Sequence, residues 1–130
     1  MTAVLTPEGF PHIFAQDVNT IFFLDKPTAG FVSLVLIARR MNKDETRLPL
    51  ASQTIVRLVD FINNCRESFA GQIAENGFLF LAENGRFEIS LGSRRIVMSQ
   101  QNAYQLADTL SAYLTQDRDT CKNRTEGKRV

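Results

Sequence analysis

The stretch RLPLASQTIVRLVDFI, residues 47–62, reads as a short strand running directly into a helix. Forty-eight residues later RIVMSQQNAYQLADTL, residues 95–110, reads the same way. In the first helix Ile55, Leu58, Val59 and Ile62 fall at i, i+3, i+4 and i+7. In the second, Ala103, Leu106, Ala107 and Leu110 repeat that spacing, so each helix has one apolar face. Arg47, Gln53, Leu58 and Asp60 meet Arg95, Gln101, Leu106 and Asp108 when the stretches are paired without gaps. Four identities in sixteen weigh less than the shared order of elements, which predicts one unit built twice.

The rest of the chain fits two such units. PHIFAQ reads as a short strand, NTIFFLD and FVSLVLIARR as longer ones, and RLPL as an edge strand, because Pro49 lacks a ladder donor. Ser52 is placed to cap a first helix over 51–69, ended by Gly71. In the second half FLFL, RFEISL and RRIVM read as strands, and Ser99 caps a second helix over 99–115. Asn84-Gly85 is the dipeptide of a two-residue type I′ hairpin, since both central residues need positive φ. The predicted fold is α+β. It has tandem βββα (or ββββα) units, about 19–70 and 76–115, related by a pseudo-twofold, with each antiparallel sheet covered by a helix. Residues 1–115 form one domain. Residues 116–130 are polar, without periodicity, and read as a disordered tail.

Composition narrows the function classes. Residues 1–115 carry ten Lys/Arg against eleven Asp/Glu, and residues 116–130 five against three, so any basic patch is local. Cys65 and Cys121 are the only cysteines and suggest neither a disulfide framework nor a zinc site. No secretory signal is visible, and the apolar run FVSLVLIA is too short to span a bilayer. The expected setting is cytoplasmic. His12 is the only histidine, and no phosphate loop, nucleophile elbow, metal cluster or dinucleotide fingerprint occurs. The sequence therefore reads as non-enzymatic and without a cofactor.

The second half, NGRFEISLGSRRIVMSQQNAYQLADTL, resembles a PUR repeat. Gly85, Arg86 and Phe87 match its Gly-Arg-Phe strand. Ser93, Arg94, Arg95, Ile96, Val97 and Met98 match its arginine-containing strand before the closing helix. The likeness covers residues 84–110. The first half shares the element order but has FVSLVLIARR in place of Gly-Arg-Phe. The resemblance implies the pseudo-dimeric fold of the PUR and Whirly group, with curved sheets and crossed helices, and binding of single-stranded DNA or RNA.

Arg39, Arg40, Lys43 and Arg47 surround the polar loop of the first half, and Arg86, Arg94 and Arg95 cluster in the second. Arginines at two related loops suit phosphates along one strand of nucleic acid. Phe22 and Phe23 point to opposite sides of one strand, as do Phe78 and Leu79 of another, and most are expected in a core or an interface. Several strands are apolar on both faces, so the repeats pack on each other or two chains pair as a homodimer. The leading expectation is a small regulator that binds single-stranded DNA or RNA. The alternative is a protein-interaction module, such as a dimeric adaptor or inhibitor, without nucleic acid.

Overall fold

Two Asn-Gly dipeptides build the second half. Asn84 and Gly85 take φ of 55° and 75°, the positive-φ pair predicted for that hairpin, and Asn76 and Gly77 take 50° and 86° and form a second one that was not predicted. The structure, a computed structural model, describes residues 11–26, 34–42 and 44–129, with side chains described as far as Thr115.

Four strands come first: β1 (His12–Gln16), β2 (Thr20–Asp25), β3 (Leu34–Arg40) and β4 (Glu45–Leu50), then α1 (Ser52–Asn64). The order repeats as β5 (Gly71–Glu75), β6 (Phe78–Glu83), β7 (Arg86–Leu91), β8 (Arg94–Ser99) and α2 (Gln100–Arg129). Each set of strands forms an antiparallel sheet in sequence order, β1-β2-β3-β4 and β5-β6-β7-β8. The unit is therefore ββββα, twice.

The helices link the units. α1 touches β4 of its own unit and β5 and β6 of the other; α2 touches its own β7 and β8 and also β1. The helices also pack on each other. This reciprocity is the pattern that a pseudo-twofold produces. Phe61 of α1 packs on Phe80 and Phe87 of the second sheet, ring centroids 5.9 and 6.1 Å away. One continuous core runs through both units, and Ile55, Leu58, Ile62, Ala103, Leu106, Ala107 and Leu110 are fully buried in it. Each large aliphatic side chain there contributes about 1.5–3 kcal/mol by leaving water. Arg66 ties the helix pair from outside. It donates to Asp108 at 2.9 Å, and its guanidinium lies 4.6 Å from the Tyr104 ring centre.

Several boundaries differ from expectation. α1 ends at Asn64, because the Cys65 N–H already bonds back to Phe61 and Ile62 and the chain turns away. Phe69, expected as the last residue of the helix, has a φ of 42° and reaches the core from that turn, edge-on to Tyr104. Ala51 is the α1 N-cap and gives no side-chain cap; Ser99 Oγ does cap α2, accepting from Asn102 N at 3.1 Å. The first unit begins at β1, before residue 19. The second begins at β5, before residue 76, in a segment expected to be a connection. Residues 116–129, expected as a tail, continue the backbone of α2 to Arg129. No proline interrupts them, and extending an existing helix is far easier than starting one.

Candidate nucleic-acid interface

Each sheet has one face in the core and one facing away from it. On the first sheet the outer row across the strands is Ile13, Phe23, Ile37 and Arg47; on the second it is Ala74, Leu79, Ser90 and Arg95. Strand alternation thus makes Arg47 and Arg95 structural counterparts.

Arg39 and Arg47 lie on the first outer face, with Glu45 between them. Arg39 Nε donates to Glu45 Oε2 at 2.7 Å and Arg47 Nε to Oε1 at 3.0 Å. The bonded Arg39 guanidinium, helped by Arg47, holds the Glu45 carboxyl below the usual carboxylate range, although partial desolvation acts the other way. Arg39 also lies over the Phe23 ring, 4.9 Å from its centre. Phe23 faces outward by strand parity yet is buried.

Arg40 closes β3 on the opposite parity and reaches Thr46 Oγ1 at 3.4 Å. Arg94 opens β8, also on the opposite parity to the outer row. Its Nη1 donates to the backbone carbonyl of Arg47 at 2.9 Å, where β4 and β8 come together. Arg95 lies on the second outer face, 3.8 Å from Glu88. Arg86 opens β7 opposite Ser99, on the same face. Lys43 lies outside the described residues.

The two arginine clusters of the sequence meet at the seam between the units through Arg47 and Arg94, while Arg39 and Arg40 lie against the β1–β2 turn. They do not occupy equivalent places: Arg39 and Arg40 end β3, whereas Arg94 and Arg95 begin β8. Arg86 stands apart beside the Asn84-Gly85 turn. There the outer face of the second sheet forms an open concavity of about 670 Å³. Leu81 and Val97 line it with Arg86, Glu83 and the paired Arg95 and Glu88. The sequence reading missed this groove. Its signal was the alternation in β6 to β8, which sets Leu81, Glu88, Arg95 and Val97 on one side.

The exposed large hydrophobic side chains among the described residues are Ile13, Val18, Ile21, Met41, Val56, Ile73 and Val97, with no aromatic ring among them. His12 is half-buried in β1. Burial pushes the Cys65 thiol up, away from the thiolate that a nucleophile needs. Among the described residues no group of three or more His, Cys, Asp or Glu is placed to hold a metal, and no helix is long and apolar enough to cross a membrane. Compared with protein-family models and with curated protein sequences, the chain matches none.

Proposed function

We propose that the chain is a non-enzymatic, cytoplasmic regulator that binds single-stranded DNA or RNA, with the strand's phosphates along the β4–β8 seam. The observation that carries this reading is the bond from Arg94 to the Arg47 carbonyl, which joins a basic residue of each half. Arg39, Arg40, Arg47, Arg94 and Arg95 lie on β3, β4 and β8, where Glu45 and Glu88 are the carboxylates paired with them. The surplus of cations suits a polyanion, whose binding is driven by counterion release. The likeness of residues 84–110 to a PUR repeat supports the same reading.

The test is fluorescence anisotropy of a labelled single-stranded oligonucleotide across a salt series. About four phosphate contacts give a log–log slope of roughly −3 for single strands. Absence of binding at low salt rejects the reading.

A second reading, a protein-interaction module, rests on the groove of the second sheet. Its apolar Leu81 and Val97, its balanced charges and the lack, among the described residues, of an exposed ring for base stacking suit a polypeptide better than a polyanion. Oligonucleotide binding that is lost in Arg94→Ala/Arg95→Ala and kept in Leu81→Ser/Val97→Ser supports the seam and counts against the groove.

A further inference from the structure

A sheet edge is a row of unpaired backbone donors and acceptors, and folded proteins protect such edges. Three of the four edges here are protected. β4 and β8 border each other at the seam, and Pro49 sits in β4. β1 carries a register irregularity between Ile13 and Ala15, buries Phe14, and is packed by α2. The fourth edge, β5, is touched by α1 but lacks the other devices. Its register with β6 is regular from Gly71 to Glu75, with no bulge, proline or lysine. Gly71, Gln72, Ile73 and Ala74 are all exposed, and among the described residues the backbone of β5 is bonded only to β6.

We propose that β5 is a self-association edge, pairing antiparallel with β5 of a second copy of this chain about a twofold axis at Ile73. In that register Ile73 faces Ile73, Gln72 faces Ala74 and Gly71 faces Glu75. Each step is compatible. The exposed Ile73 pair gains apolar contact across the axis. No like charges stand opposite, because the only charged residue of the strand, Glu75, meets a glycine and is engaged by Arg57 of its own chain at 3.3 Å. The strand offers no other charge with which to select a basic or acidic partner, and its self-complementarity is what selects a second copy. Pairing joins two four-stranded sheets into one continuous sheet. A five-residue strand pair lies at the small end of interface size, so the dimer is concentration-dependent. The proposal is independent of the seam; the groove adjoins β5 on the outer face of the same sheet, where Gln72 stands beside Leu81.

Sedimentation equilibrium from about 10 µM to about 1 mM, a range that spans weak association, tests it with three proteins. The wild-type mass rises toward that of a dimer. Gln72→Lys/Ala74→Lys sets lysines opposite lysines across the axis and stays monomeric, with an unchanged circular dichroism spectrum. Gln72→Glu/Ala74→Glu does the same, and an equimolar mixture of the two variants recovers the dimer. A wild type that is monomeric at the highest concentration overturns the proposal. So does a lysine variant that dimerises like wild type, or a mixture of folded variants that does not recover.

Discussion

On the outer face of the first sheet Phe23 and Ile37 are buried side by side; on the second sheet the same places hold Leu79 and Ser90, both half-buried. The carboxylates differ in the same sense. Glu45 is clamped by Arg39 and Arg47 at 2.7 and 3.0 Å, whereas Glu88 meets Arg95 at 3.8 Å. The core faces repeat and the outer faces do not. Burial demands an apolar residue at every second position whatever the unit does, so the core pattern is preserved by packing alone. The outer faces are free to diverge. The first buries Phe23 and Ile37 and carries an ion network, and the second is left open and concave.

Substitutions in the shared core should produce the largest effects and should not respect the division into units. Phe61→Ala should cost roughly 3–5 kcal/mol. Hydrogen exchange should show lost protection in β6 and β7, the unit to which Phe61 does not belong. Leu58→Ala and Leu106→Ala should each cost roughly 2–5 kcal/mol in one cooperative denaturation transition, and Asp60→Ala little. Equal losses for Leu58 and Asp60 would break the assignment of the α1 buried face.

The outer faces should respond separately. Arg94→Ala/Arg95→Ala should flatten the salt slope of oligonucleotide binding by roughly 1.4, two contacts at about 0.7 each. Arg39→Ala/Arg47→Ala should change it less, because those cations share Glu45. Glu45→Gln should tighten binding by freeing them. An Arg39/Arg47 effect as large as that of Arg94/Arg95 would show that the clamp does not silence its arginines.

Smaller effects follow. Truncation after Thr115 removes five bases and three acids but leaves in place every α2 residue described as buried, so stability should change within about 0.5 kcal/mol. Thermal melts of both lengths check this. The smallest effect concerns pH. Because the folded Glu45 carboxyl is held below its ordinary range, its contribution is present above that range and is lost as the pH falls through the lowered value. The melting-temperature difference between wild type and Glu45→Gln should therefore shrink on acidification, and a difference that grows would contradict the clamp.

The sequence was most legible where one force dominates. The spacing of Ile55, Leu58, Val59 and Ile62 named the buried face of α1, and Asn84-Gly85 named its turn. β5 escaped because Gly71-Gln72-Ile73-Ala74 has no alternation and little β preference. The second Asn-Gly pair at 76–77 was the signal that marked it. The end of α1 escaped because Cys65 and Phe69 stay in the apolar register while the backbone has already turned, and burial does not require helix. The arginines were legible as two clusters. The meeting of Arg47 with Arg94 at the seam depends on how β4 lies against β8, a long-range placement that local pattern cannot encode.

The reach of α1 onto β5 and β6, and of α2 onto β1, has a kinetic consequence. A single ββββα unit holds a helix whose seat lies partly elsewhere and a sheet whose cover is partly missing. Neither half can close alone, so separate halves must find each other, and their folding is second order in concentration. The short link through residues 65–70 makes that encounter intramolecular, at an effective concentration on the order of millimolar. Cleaving the link should leave the folded protein intact when concentrated. Its refolding rate should then fall in proportion to dilution, while the uncut chain refolds at one rate throughout.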